Sequence, residues 1–322
     1  MNAWFRVLWL FITGKRHQAR SLAIMKIQRL MKRYYAIKKN TGFFVMEEEW
    51  DYLLVLDACR YDYFAEEYPK FLHGELQKKR SRGSSTSDWL LKNFTGSHPD
   101  TVYVSGNPHC SDKKINGFLG TDHFHAVEHV WKYAWNEEED SILPGEMIKS
   151  ALDVRRRFPG KRVIVHFIQP HGPWIGDTKL SMSHQQEITD QKTGVDGKWT
   201  TDKQVWELVR QGRFDVDQLK RAYRDNLVLV LRSVRDFVEQ LDGRVVVTAD
   251  HGEAFGDHIV VEHPSGIYCK ELVEVPWLVI DRGDRKSATT LQKEQKTEGS
   301  GGRGEVSEET VAKRLRALGY ID

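Results

Sequence analysis

A chain of 322 residues, 40% hydrophobic and 29% charged, is long enough to bury a full core and suits one enzyme-sized α/β unit. Three cysteines, Cys59, Cys110 and Cys269, are too few and too scattered for a disulfide framework or a zinc cluster. The odd count leaves at least one unpaired, so a reducing, cytoplasmic compartment is the simpler expectation. The formal net charge of +2 conceals an asymmetry: residues 1–44 carry ten Lys and Arg and no Asp or Glu, which leaves −8 for the remainder.

Within that basic segment Trp4, Phe5, Val7, Leu8, Trp9, Leu10, Phe11 and Ile12 form an apolar patch too short to span a bilayer. The positive cluster follows the patch and no small-residue cleavage site is evident, which makes it a poor signal peptide. Tryptophans beside a basic helix predict a segment lying on an anionic membrane face, each basic side chain being worth about 1 kcal/mol near the surface. A helix packed on the following domain, or a basic surface for a polyanionic substrate, are the competing readings. Anchoring through residues 1–43 ranks first and would place the chain peripherally at the inner membrane face. Nucleic-acid binding is disfavoured, because no recognised module or basic-aromatic stripe continues into the rest of the chain.

Tyr52-Leu53-Leu54-Val55-Leu56-Asp57 is an apolar run ending in a carboxylate, and Ala58-Cys59-Arg60-Tyr61-Asp62 follows. Alone, Asp57 reads as a helix cap or turn residue as readily as a ligand. Arg80-Ser81-Arg82-Gly83-Ser84-Ser85-Thr86-Ser87-Asp88-Trp89 reads as a hydroxyl-rich loop entering a helix. A hydroxyl there gains from the positive end of the helix dipole, and the same terminus would accept a phosphate or sulfate. The spacing leaves Thr86 and Ser85 both open. After a strand over 101–104, Ser105-Gly106-Asn107-Pro108-His109 reads as a turn-rich loop with His109 at the surface. A helix is predicted from Pro144 to Phe158.

Arg162 to Ile168 is a second apolar run, leading into Gln169-Pro170-His171-Gly172-Pro173. The polar stretch from Lys179 to Lys203 reads as a long loop beside that strand's end, a lid or a plain solvated insertion. Leu219, Tyr223, Leu227, Val230, Val234, Phe237 and Leu241 recur at helical spacing, with arginines opposite and Gly243 as the stop. Val245-Val246-Val247-Thr248-Ala249-Asp250-His251-Gly252-Glu253 is a strand covered on both faces that ends in an Asp-His pair, with Gly252 allowing a tight turn. Strands alternating with helices predict an α/β fold with a mostly parallel central sheet flanked by helices. The three apolar runs then converge on one rim. Two carboxylates and an imidazole suit Mn²⁺, Zn²⁺ or Mg²⁺. Residues 282–305 read as a flexible excursion.

Taken together, Leu56-Asp57-Ala58-Cys59-Arg60-Tyr61-Asp62, Gly83-Ser84-Ser85-Thr86-Ser87-Asp88, Gln169-Pro170-His171-Gly172-Pro173, Thr248-Ala249-Asp250-His251-Gly252-Glu253, Glu262-His263-Pro264 and the closing Leu318-Gly319-Tyr320 resemble the sulfatase-like branch of the alkaline phosphatase superfamily. The resemblance runs from about Tyr52 to the end and implies that residues 45–322 form a sandwich of the alkaline-phosphatase type, following the basic segment 1–44. It implies Asp57, Asp250 and His251 as ligands of one divalent ion, with Ca²⁺ added to the candidates above. Thr86 corresponds to the metal-bound threonine nucleophile of lipoteichoic acid synthases. His171 and His263 correspond to histidines that contact the transferred group or protonate the leaving oxygen, with His258 as a weaker candidate. Arg60 and Ser85 join them as substrate-contacting candidates. The Cys-x-Pro-x-Arg motif of true sulfatases is absent, which argues against formylglycine chemistry. The expected function is a metal-dependent hydrolase or transferase of phosphate esters, including lipid-linked or envelope glycopolymers. The alternatives are a sulfuric ester hydrolase lacking formylglycine and an inactive sulfatase-fold binding protein.

Overall fold

The structure, a computed structural model, describes residues 3–38, 40–180, 202–283 and 307–317. Most of the expected lid (179–203), nearly all of the expected excursion (282–305) and the Leu318-Gly319-Tyr320 ending lie outside the described residues.

Seven strands form one sheet: β1 (Tyr52–Leu56), β2 (Glu75–Arg80), β3 (His98–Ser105), β4 (Phe124–His129), β5 (Arg162–Phe167), β6 (Arg244–Ala249) and β7 (Glu274–Asp281). Their order is β2-β7-β6-β1-β5-β3-β4. The run β6-β1-β5-β3-β4 is parallel throughout, and β7 is antiparallel to both its neighbours. Leu56 stands level with Phe167 on one side and Ala249 on the other. That register brings Asp57 and Asp250 to the same carboxyl-terminal rim, where an open α/β sheet binds its ligands.

Strand period explains the two faces. Leu54 and Leu56 pack with Val165 and Val247 against helices α5 (Pro144–Arg157) and α7 (Val216–Val238), whereas Leu53 and Val55 pack with Ile164 and Val246 against Trp89 and Leu90 of α4 (Thr86–Asn93). The short α3 (Tyr61–Glu67) follows β1. In α7 the predicted apolar stripe is buried from Leu219 to Phe237, and Asp215 caps its start by accepting from the Asp217 and Gln218 amides. The helix ends at Val238, before Gly243. That glycine, at φ +84°, instead shapes the turn into β6, where a non-glycine residue would be strained.

At the amino end, α1 (Ala3–Ile12) and α2 (Arg16–Lys38) form a helical pair. The second packs on α6 (Asp202–Gln211): Ile24 enters a cluster with Trp206 and Val209, and Arg20 donates to the Val209 and Arg210 carbonyls at 2.8 and 3.0 Å. The first leaves Trp4, Phe5, Leu8, Trp9, Phe11 and Ile12 exposed. Among the described residues no helix is long and apolar enough to cross a membrane. A last helix, α8 (Glu308–Ala317), is tied down through Arg314, which donates to the Trp131 carbonyl at 3.0 Å. The three cysteines are free and buried.

Candidate active site

Asp57 leaves β1 as the chain turns sharply, with Ala58 at φ 59°. An L-residue adopts this left-handed conformation only when its surroundings hold it there. Here the Ala58 amide donates to Asp250 Oδ1 at 3.1 Å and the Tyr223 hydroxyl donates to the Ala58 carbonyl at 2.7 Å. The same hydroxyl accepts from the Arg60 amide at 2.9 Å. Tyr223, legible in the sequence only as part of an apolar stripe, thus clamps the loop that aims Asp57.

Gly252 is needed for a reason other than the expected tight turn. A Cβ there would stand 2.1 Å from the Glu271 carbonyl oxygen, so only glycine lets the Asp-His turn lie against that backbone. Ser81 donates to the Asp250 carbonyl, bringing the loop before α4 onto the same turn. Ser85 caps α4 by accepting from the Asp88 amide at 3.4 Å, and Thr86 is the first helical residue, buried among the rim carboxylates. The capping role engages the Ser85 oxygen and sets the Thr86 oxygen toward the carboxylates.

Four candidate ligand atoms meet here, with His166 Nε2 as a fifth at the edge of the group, 3.7 Å from Asp250 Oδ2. Thr86 Oγ1 donates to Asp250 Oδ2 at 2.8 Å and lies 3.5 Å from Asp57 Oδ1 and 3.4 Å from His251 Nε2. His251 Nε2 lies 3.5 Å from Asp57 Oδ1 and 3.3 Å from Asp250 Oδ2. A tetrahedron with arms of about 2.0–2.1 Å has edges of roughly 3.3–3.4 Å, which four of the five separations within the four-atom set approach; the fifth, 2.8 Å, is the Thr86–Asp250 hydrogen bond that a small four-coordinate divalent ion would replace. His251 Nδ1 is 2.8 Å from the Gly252 carbonyl, which fixes the tautomer and leaves Nε2 for coordination.

The electrostatics agree with that fit. Burial, and then the Asp250 carboxylate beside it, push Asp57 up to about 7. Burial, and then His263, hold His251 well below the usual imidazole range, in the neutral form a metal needs.

Asn107 was not singled out by the sequence. Its amide donates to Asp57 Oδ2 at 2.6 Å and reaches Thr86 Oγ1 at 3.5 Å, while its own oxygen accepts from the His109 amide at 3.0 Å. The expectation of a surface His109 is overturned. The loop after β3 folds inward, His109 is buried, and burial with its His263, His251 and His171 neighbours brings its pKa down to about 3. The available signal was the strand itself, since β3 ends at the same rim as β1 and β5.

Beside the first group stand His171, Glu253 and His263, whose ligand-type atoms all lie within 4.8 Å of one another. His171 and His263 have ring centroids 5.0 Å apart, and His263 is 4.7 Å from the His251 ring. Burial opposes charge on His263, but Glu253 at 3.1 Å from Nδ1 outweighs it and holds the imidazole up to about 10. Asn226 of α7 fixes the loop carrying His171. Its oxygen accepts from the Ile175 and Gly176 amides at 2.9 and 3.1 Å, and its amide donates to the carbonyls of Pro170, His171 and Pro173 at 3.3, 3.0 and 3.1 Å.

Two expected substrate contacts are placed differently. His258 lies on an exposed turn at φ 48°, with Nε2 3.4 Å from Glu271, because the chain swings out between Gly256 and Val260 before returning at His263. Arg60 reaches the Asp-His-Gly-Glu turn, but its guanidinium is taken by Asp62 at 2.6 Å, Asp257 at 2.9 Å and the Glu253 carbonyl at 3.2 Å. It braces the turn that carries Glu253.

No family model matches the chain, and no curated protein matches it. Solved structures do. Lipooligosaccharide phosphoethanolamine transferase A from Neisseria meningitidis, an integral membrane protein, aligns with 75% of this chain and 48% of its own at 14% identity and a TM-score of 0.48. The C-terminal periplasmic domain of EcEptC from Escherichia coli, in complex with zinc, aligns over 75% and 76% at 11% identity and a TM-score of 0.47. A 2-O GAG sulfatase aligns over 75% and 66% at 11% identity and a TM-score of 0.46. The chain spans about half the length of the first of these. All three likenesses lie below 15% identity and below a TM-score of 0.5.

Proposed function

We propose that the chain is a metal-dependent phosphoric ester hydrolase or phosphotransferase with Thr86 as its nucleophile. One observation carries this reading: a hydroxyl at the start of a helix, buried within 3.5 Å of two carboxylates and an imidazole that together fit a divalent ion. Asp57, Asp250, His251 and Thr86 would hold that ion, which when bound supplies positive charge to the nucleophile and to the nonbridging phosphoryl oxygens.

The chain's own groups divide the remaining work. Asp250 Oδ2, 2.8 Å from Thr86 Oγ1, is placed to accept its proton as the P–O bond forms. The amino end of α4 and the Asn107 amide favour developing negative charge on the rim. His263, charged through its pairing with Glu253, donates the proton that the leaving alkoxide requires, and His171 beside it contacts the transferred group. Water or an acceptor hydroxyl then releases the phosphoryl group from Thr86.

The substrate class we favour is a lipid-linked or envelope ester. Apolar residues exposed on α1, joined to the basic α2, give the chain a face suited to an anionic bilayer, and we place it at the cytoplasmic side of the inner membrane.

The test is turnover of a panel of aryl phosphate and aryl sulfate esters with added Zn²⁺, Mn²⁺ or Mg²⁺, combined with mass detection of phosphorylated Thr86. Metal-stimulated phosphate release that disappears in Thr86→Ala and Asp250→Asn is the expected result. Turnover of sulfate esters alone would favour the sulfuric ester hydrolase, and no turnover across the panel would favour a binding protein that keeps the scaffold.

A further inference from the structure

A cavity of about 620 Å³ opens between α2 and the sheet domain and is lined by Tyr35, Lys38, Arg80, His258, Tyr268 and Lys270 among others. That volume is in the range of a small-ligand site. Its charge is one-sided. Lys38 has no ion pair among the described residues, and its ammonium lies 5.7 Å from the Tyr34 ring. Arg80 donates to two neutral acceptors, Asn40 Oδ1 at 2.8 Å and the Tyr268 carbonyl at 3.1 Å, and no described carboxylate neutralises it. Two acids stand at this end of the molecule and both are already paired: the buried Glu271 is shared between Lys270 at 3.7 Å and His258 at 3.4 Å, and Asp88 is paired with Lys92 at 2.9 Å. Lys38 and Arg80 are therefore the lining cations left without a carboxylate partner among the described residues.

Arg80 is pre-oriented by its two bonds, so little side-chain freedom remains to be lost when an anion arrives. Tyr35 and Tyr268, edge to face at 5.8 Å, add an aromatic wall suited to the carbon body of an ester. The cavity is also coupled to the nucleophile helix. The Tyr268 hydroxyl donates to Asp88 Oδ2 at 3.0 Å, and Lys92 pairs with Asp88 at 2.9 Å, both on the helix that Thr86 begins.

We propose that this cavity is a phosphate subsite that binds a phosphate ester with a glycerol or sugar body, apart from the metal-ligand cluster. The inference goes beyond the catalytic reading and does not depend on turnover. A lipid headgroup and a soluble ester share the chemistry, and two arms of one experiment separate them.

The full chain, kept in EDTA, is titrated calorimetrically with glycerol 3-phosphate. The same protein is then sedimented with phosphatidylcholine vesicles with and without phosphatidylglycerol. Saturable binding is expected in the first arm, about tenfold weaker in the Lys38→Gln/Lys270→Gln double variant and unchanged in Thr86→Ala. Both lysines are exposed, Lys270 at 65% of its side chain, so the variant keeps the fold. Loss of phosphatidylglycerol-dependent sedimentation in the same double variant would assign the site to a lipid headgroup. A lysine-dependent effect confined to glycerol 3-phosphate would assign it to a soluble ester. A Trp4→Ser/Trp9→Ser variant separates the α1 surface from the cavity, since it weakens sedimentation while leaving glycerol 3-phosphate binding intact. No saturable binding in either arm, or binding that follows Thr86 and ignores the two lysines, overturns the proposal.

Discussion

Asn226 offers the sharpest test of how the active-site rim is held. Its side chain is fully buried on the sheet face of α7 and satisfies five backbone groups of the loop 170–176, two amides and three carbonyls. The loop lies close to the helix: a Cβ on Gly176 would come within 2.6 Å of the Asp225 backbone, which leaves no room for water to replace the lost partner. Asn226→Leu keeps the branched heavy-atom shape and is bulkier, so no cavity forms and any overpacking only adds to the cost. What it removes is polar pairing. Each buried amide left without an acceptor costs about 1–3 kcal/mol, so the two together cost roughly 2–6 kcal/mol. At the lower end of a total stability of roughly 5–15 kcal/mol, the upper value would leave the protein unfolded. Asn226→Asp should be no milder than Leu, because its carboxylate still accepts from Ile175 and Gly176 but sets a buried negative charge against the three carbonyl oxygens. The measurement is the urea midpoint of each variant at constant m value, with hydrogen exchange at the Ile175 and Gly176 amides as the local readout. If Asn226→Leu shifts stability by less than about 1 kcal/mol and those amides stay protected, the five bonds are not what holds His171 in place.

Three further outcomes follow from the same geometry. Tyr223→Phe removes the hydroxyl that pairs with the Ala58 carbonyl and the Arg60 amide, and should cost about 1–3 kcal/mol in chemical denaturation; a change of a few tenths would mean that the loop after β1 holds itself. Chelation should lower the unfolding temperature, since an ion at about a thousand times its Kd contributes about 4 kcal/mol. Asp57→Asn should abolish that difference, and identical melting with and without metal would count against the four-ligand site. The third outcome concerns pH. His263 is held up to about 10 by Glu253, so its proton stays bound through neutrality and leaves only as pH rises toward that value. Glu253→Gln removes the counter-charge, so the alkaline fall of kcat/KM should move to lower pH; a profile that stays put would remove His263 from the role of proton donor.

How much of this was legible in the chain depends on what each residue's neighbours reveal. Asp57, Asp250 and His251 stand directly after apolar runs, and in a parallel sheet the register alone brings such positions to one rim. Their meeting was therefore predictable from local pattern plus topology. His258 and His263 lie in an irregular stretch where no period applies, so spacing could not tell that one faces solvent and the other faces Glu253. Asn107 and His109 were misread for a related reason. A Ser-Gly-Asn-Pro-His loop looks solvated by composition, and only the inward fold of the segment after β3 shows that its polar groups replace water around Asp57.

Asn226 is the instructive middle case. It stands three residues after Tyr223 and four before Val230, inside the stripe whose periodicity defined the helix, yet it is polar. A polar residue at a core-facing position must find partners or destabilise the fold, and the partners available at a helix's sheet-facing surface near the rim are loop backbone groups. Tyr223 obeys the same logic at the next turn, with its ring in the core and its hydroxyl on the Ala58–Arg60 backbone. The two sit four or fewer residues apart on one helix and hold the loops of Asp57 and His171. The signal for the supports of this site was thus present in the sequence as the two polar side chains on an otherwise apolar face.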